Sequence, residues 1–197
     1  MPGNVAPVVG ERANLLAYVE QQRYGIRLTA FGLTDDQART TPTKSALSVG
    51  GLIKHVTATE RTWMDIVMQR PSTGDQDQYG DDFVMQPSET LKAILDDNER
   101  CGRETEEVIA GIDDLGQAVP VPKGVPWFPA DVEAWSVRWV LLHVMEELAR
   151  HAGHADIIRE HLDGGTMFPI MAAAERWPAS PWMQPWTPSG EQVMPGA

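Results

Sequence analysis

Four stretches of the chain carry apolar residues at helical spacing, and the segments between them are rich in proline, glycine and aspartate. The pattern predicts long helices over four segments: 11–32, 48–69, 88–112 and 136–163. Ser48, Ser88 and Ser136 begin the last three segments and are the expected N-caps. No segment predicts a strand. Four long helices joined by loops predict an all-α fold, a four-helix bundle.

The remaining segments are predicted to be irregular. Loops are expected over 33–46, 71–87 and 113–134, because proline interrupts each of them. Residues 1–165 are expected to form the bundle domain, and 166–197 a tail rich in proline and tryptophan that packs on it. The tail is expected to begin with a short helix near 171–176. Three of its tryptophans could serve intramolecular packing or a dimer contact: Trp177, Trp182 and Trp186.

The inward-facing stripe of the predicted fourth helix is not uniformly apolar. Apolar residues fill both ends of the stripe, but Glu147, His151 and His154 occupy its middle. A buried, unpaired carboxylate costs several kcal/mol. The fold must therefore supply a partner for Glu147 or leave water access there.

The spacing of these residues suits a metal ion. Glu147 and His151 lie four residues apart, so their side chains project from adjacent turns toward one point. His55 lies on the inner face of the predicted second helix. Two histidines and one carboxylate are the ligand set of catalytic zinc sites and of the non-haem iron triad, both of which leave coordination positions open.

Other interpretations of the same residues stay open. His151 and His154 have the i, i+3 spacing of an alternative ligand pair, and His143 and Glu147 form a further i, i+4 pair. His55 alone could be a hydrogen-bonded core histidine, and Glu147 with His151 an ordinary ion pair of a helix. Three further tryptophans are expected to pack the core: Trp63, Trp135 and Trp139.

Charge and composition exclude several function classes. Asp and Glu number 28 against 16 Lys and Arg, a formal net charge of −12, which repels nucleic acid and anionic lipid. No apolar run reaches the roughly 20 residues of a membrane helix, and the N-terminus does not resemble a signal peptide. The single cysteine, Cys101, fits a reducing cytoplasm and lies in a polar stretch that does not favour a catalytic thiol.

Two segments resemble a known family. Residues 48–60, SVGGLIKHVTATE, and residues 138–157, RWVLLHVMEELARHAGHADI, resemble the metal-ligand segments of the DinB-like superfamily. They are most similar to an actinobacterial branch related to mycothiol-dependent maleylpyruvate isomerase, and the resemblance covers most of residues 11–165. It implies a four-helix bundle that binds a divalent metal ion, zinc or nickel, in proteins that are often homodimers.

The resemblance also implies roles for individual residues. His55 matches the ligand of the second helix, and His151 matches the last ligand. Many members carry histidine four positions before that ligand, where this chain has Glu147. The implied metal ligands are His55, Glu147 and His151, and His154 is the candidate catalytic residue that positions water or moves a proton.

The implied activity is a transferase or isomerase reaction on a small-molecule substrate, with mycothiol as the thiol cosubstrate. A metal ion with open positions could bind that thiol and lower its pKa. Two alternatives use the same residues: hydrolysis by metal-activated water, and a non-catalytic, metal-stabilised protein that binds a small molecule or a partner.

Overall fold

The computed structural model describes residues 3–70 and 81–188, and within them the fold is mostly helical. The helices are α1 (Glu11–Leu28), α2 (Asp35–Arg39), α3 (Val49–Val67), α4 (Leu91–Ala110), α5 (Val137–Asp163) and α6 (Met167–Ala174). A 3₁₀ turn, Asp81–Phe83, precedes α4. Helices α1, α3, α4 and α5 pack on one another as the predicted bundle, so the all-α fold is confirmed. Across the described ranges, every helix is too short or too polar to cross a membrane.

Most helix ends agree with the sequence patterns. The side chain of Ser48 accepts a hydrogen bond from the backbone of Gly51, and that of Ser136 accepts one from Trp139, so both predicted N-caps are confirmed. The third prediction, Ser88, is wrong, because Thr90 caps α4 instead. Serine and threonine are both N-cap residues, and only the position of the first helical turn shows which of the two caps α4.

Four short elements differ from the predictions. Helix α2 lies in the predicted 33–46 loop and is held by a capping box between Thr34 and Gln37. Helix α6 begins at Met167, four residues before the predicted start, with Pro169 in the first turn, where no intrahelical N–H donor is needed. Two three-residue strands, β1 (Ala118–Pro120) and β2 (Ala134–Ser136), pair antiparallel. They are too short for an alternating pattern to reveal them.

A buried ion pair joins three of the bundle helices. Arg23 of α1 donates from Nε to both carboxylate oxygens of Glu60 on α3, at 3.2 and 3.1 Å, and both side chains are about 1% exposed. Thr105 of α4 donates to Glu60 at 2.6 Å. The guanidinium occupies the space beside Gly102, where a Cβ would lie 2.6 Å from Nη1. Removing one partner of such a pair costs about 3–5 kcal/mol, so it fixes how α1, α3 and α4 sit together.

Cys101 belongs to the same buried region. It is 1% exposed, and its Sγ lies 3.5 Å from the backbone oxygen of Thr57. Burial, with a contribution from the neighbouring Glu60 carboxylate, raises the pKa of the thiol to about 12. The thiolate is therefore scarce at neutral pH, and the group behaves as a small core residue.

The chain after α6 packs back onto the bundle. Glu175 accepts hydrogen bonds from the Tyr24 hydroxyl at 2.7 Å and from the Trp177 indole at 3.0 Å. The Arg159 guanidinium lies 4.6 Å from the ring centre of Trp186. Trp177 and Trp186 thus pack within the molecule, whereas Trp182 is 79% exposed. Residues 189–197 of the predicted tail, and 71–80 of the predicted 71–87 loop, lie outside the described residues.

The docking of Trp186 predicts unequal effects of two tail substitutions. Trp186→Ala should lower the free energy of unfolding by about 2 kcal/mol, because it removes apolar contacts and the cation–π contact with Arg159. The matched control Trp182→Ala should change it by less than about 0.5 kcal/mol, because that ring is exposed. Urea denaturation measures both. Equal effects would contradict the docking.

The burial of Cys101 predicts an unreactive thiol. In the native protein at pH 8 it should react with a disulfide reagent about a hundredfold or more slowly than in urea, because the folded chain keeps the thiol protonated. A Cys101→Ala protein carrying Ala93→Cys, at an exposed position of the same helix, should react rapidly without urea. Rapid modification of native Cys101 would show that the thiol is accessible.

Candidate metal centre

Helices α3 and α5 bring the three predicted ligands together. His55 comes from α3, and Glu147 and His151 come from successive turns of α5. Each offers one ligand atom, and these three atoms all lie within 4.8 Å of one another. The imidazoles are 3% and 8% exposed, and Glu147 is half-buried. The residues predicted from their spacing therefore meet in space, and Glu147 is the most exposed of the three.

Glu147 lies between two histidines of its own helix. Its Oε2 atom is 3.5 Å from Nε2 of His151, and its Oε1 atom is 4.0 Å from Nε2 of His143. The His143 ring stacks on Trp139, with ring centres 5.1 Å apart, and meets the edge of Trp63 at 4.7 Å. His143 thus stands outside the group of three ligand atoms, on the far oxygen of the carboxylate.

The tryptophans beside His143 only partly match the core prediction. Trp63 is 5% exposed and Trp135 packs against the core, as predicted. Trp139 is 39% exposed, so it forms the rim of this aromatic cluster rather than its interior.

His154 lies behind His151 rather than among the ligand atoms. Its Nδ1 atom is 3.4 Å from Nδ1 of His151, the ring nitrogen opposite the one that faces Glu147. One of these two nitrogens must carry the proton that they share. A histidine that binds a metal ion through Nε2 commonly donates its Nδ1–H to such a partner. The position of His154 suits that supporting contact.

Phe83 covers the His55 ring, a contact that the sequence argument missed. The two rings stack with centres 3.6 Å apart and planes 18° from parallel. The turn that carries Phe83 can approach α3 closely because residue 51 is glycine; a Cβ there would overlap the backbone oxygen of Phe83. The glycine pair at 50 and 51, one turn before His55, was the only signal of this close approach in the sequence.

The surroundings keep both imidazoles in the form that binds metal ions. Burial lowers the pKa of His55 to about 4, and His151 nearby adds to the shift. Burial also lowers the pKa of His151, although the Glu147 carboxylate opposes the change. Neutral imidazole is the species that coordinates a divalent cation. Two neutral imidazoles and one carboxylate are a donor set that zinc and similar ions accept.

Comparison with solved structures supports the fold. The chain is similar to a conserved protein from Enterococcus faecalis whose crystal structure is known, with a TM-score of 0.58 and 14% sequence identity. The match covers 79% of this chain and 98% of that one. A search of curated proteins found no match. At this identity the structural likeness concerns the fold alone.

The sequence of the bundle segment identifies the family. A model of the mycothiol-S-transferase family, which is DinB-like, matches residues 14–164. The matched segment includes all three residues of the candidate metal centre, and it runs from the first turn of α1 to the end of α5. The resemblance noted in the sequence is therefore confirmed, and the chain belongs to the mycothiol-S-transferase family.

Proposed function

We propose that this protein is a metal-dependent S-transferase that joins a low-molecular-weight thiol, mycothiol, to a small electrophilic substrate. The observation that carries the proposal is the convergence of His55, Glu147 and His151 within 4.8 Å inside a segment that belongs to the mycothiol-S-transferase family. The homodimer expected from the resemblance stays a prediction.

The donor set suits a divalent ion held from one side. His55, Glu147 and His151 would be its protein ligands, and three ligands leave room for water or substrate. When bound, such an ion supplies a Lewis acid that lowers the pKa of a thiol attached to it. Phe83 holds the His55 ring by stacking and excludes water from that side. His154 holds the proton at Nδ1 of His151 and so fixes its orientation.

The thiol has to come from outside the chain. Cys101, the chain's single cysteine, is buried with a pKa of about 12 and contacts the backbone of α3 at Thr57. Thr57 lies two residues from His55, about 160° around the helix, so the thiol is on the side of α3 away from the ligands. A cosubstrate thiol is the remaining nucleophile for S-transfer. This favours the transferase proposal over a mechanism with an enzyme-bound thiol.

Metal affinity should depend on Glu147 and hardly on its neighbour. Glu147→Gln should weaken zinc or nickel binding by about 10- to 100-fold, because a neutral amide replaces the anionic ligand. Glu146→Gln is the matched control, since Glu146 is an exposed residue paired with Arg150 at 3.1 Å. Competition titration with a chromogenic chelator measures both affinities. Equal metal affinity in the two variants would contradict the assignment of the Glu147 carboxylate as a metal ligand.

Thiol transfer should require both the metal and the thiol. With mycothiol and 1-chloro-2,4-dinitrobenzene, the metal-loaded protein should accelerate formation of the thioether; a C–S bond forms, chloride leaves and the thiol proton goes to buffer. Chelation should abolish the acceleration, and added metal should restore it. His55→Ala should abolish it as well. Metal-dependent ester cleavage without thiol consumption would instead favour a hydrolase.

A further inference from the structure

A groove runs along α5 beside the candidate metal centre. Its volume is about 810 Å³, within the range of small-molecule sites. The segment 42–47, which links α2 to α3, forms one wall, and the C-terminal half of α5 forms the other. His154 lies at the end of the groove nearest the ligands, because its Nδ1 is 3.4 Å from His151. No step of the proposed function uses the rest of this groove.

The polar lining of the groove contains a lysine and no acidic residue, although the protein is acidic. The polar residues that line it are Thr43, Lys44, Ser45, His154 and His161, and no Asp or Glu does so among the described residues. The ammonium group of Lys44 is exposed and has no ion-pair partner within 3–70 and 81–188. A second, smaller groove differs in this respect: its Lys54 pairs with Glu89 at 3.0 Å, and Asp97 lies beside them. In a chain of net charge −12, Lys44 gives this groove a locally positive end, which suits an anionic ligand better than the rest of the surface does.

The His161 side chain is held in place by its own helix. Nδ1 of His161 donates a hydrogen bond to the backbone oxygen of Ile157 at 2.9 Å. The carbonyl can only accept, so Nδ1 carries the proton, and Nε2 of the neutral ring can only accept a hydrogen bond from an N–H or O–H group of a ligand. His154 and His161 lie seven residues apart, two turns along the same side of α5. They therefore mark the two ends of the groove's α5 wall.

The surface between the basic groups is apolar. Leu47, Ile157 and Ile158 line the groove, and the Ile157 side chain is 54% exposed. An apolar surface with a few convergent polar groups is the usual composition of a small-molecule site. The lining thus matches a ligand that has a hydrocarbon body and one negative end.

We propose that this groove binds a small organic acid, with its carboxylate at Lys44 and its hydrocarbon body on Leu47, Ile157 and Ile158. The proposal goes beyond the proposed function, because binding requires neither the metal ion nor the thiol. The contact of His154 with His151 places such a ligand next to the metal centre without making it a metal ligand.

Two probes of the same shape test the charge preference. Metal-free protein, prepared with a chelator, is titrated with cyclohexanecarboxylate and with cyclohexanecarboxamide, and binding is followed by calorimetry. We expect the acid to bind about fivefold more tightly than the amide, the scale of a partly exposed ion pair. Lys44→Ala should remove that preference and leave amide binding unchanged. Lys54→Ala, a lysine of the other groove, should leave the preference intact.

A second variant tests the apolar wall. Ile157→Asp should abolish binding of both probes, and circular dichroism confirms that the exposed substitution leaves the helices folded. Equal affinity for acid and amide, or a preference that survives Lys44→Ala, would overturn the proposal. So would acid binding seen only in metal-loaded protein, because the carboxylate would then be a ligand of the ion. None of these outcomes depends on whether the protein transfers thiols.

Discussion

The buried pair of Arg23 and Glu60 is the interaction on which the geometry of the candidate site depends. Helix α3 buries 12 of its 19 residues, so it is surrounded by protein and its rotation has to be set by specific contacts. Glu60 binds Arg23 and Thr105, which fixes α3 against α1 and α4. His55 lies five residues earlier, about 140° around the helix, and therefore faces α5. A rotation of α3 that moved His55 away from α5 would also leave the buried Glu60 carboxylate without its guanidinium partner, and that cost opposes it.

Helix α5 positions the other two ligands, Glu147 and His151, through its apolar face. Its inward stripe is apolar at Val140, Val144 and Ile158, and these residues are at most 3% exposed. The interruption by Glu147 and His151 is tolerable because the two groups face each other at 3.5 Å and the carboxylate stays half-exposed. Glu147 and His151, the polar residues that interrupt the apolar stripe in the sequence, thus lie where a cation would be stabilised.

The sequence predicted what depends on periodicity and missed what depends on long-range contact. Broken apolar stripes identified His55, Glu147 and His151, because a polar residue on a buried face is unusual in itself. Arg23 and Phe83 left no such signal: an arginine in a first helix is ordinarily exposed, and the stacking of Phe83 on His55 follows from how the turn before α4 meets α3. The caps of α3 and α5 were readable because capping is local, whereas pairing of β1 with β2 joins segments 16 residues apart.

The carboxylate at position 147 bears on what else such a centre would hold. Two neutral imidazoles and one carboxylate leave a dication with a single net positive charge, whereas three histidines would leave both charges. His55 and His151 are buried, so charge near them is poorly solvated and a neutral assembly is the least costly. One further anionic ligand completes that neutrality, and a thiolate is such a ligand. Hydroxide meets the same condition, so the charge of Glu147 favours an anionic ligand over a neutral one.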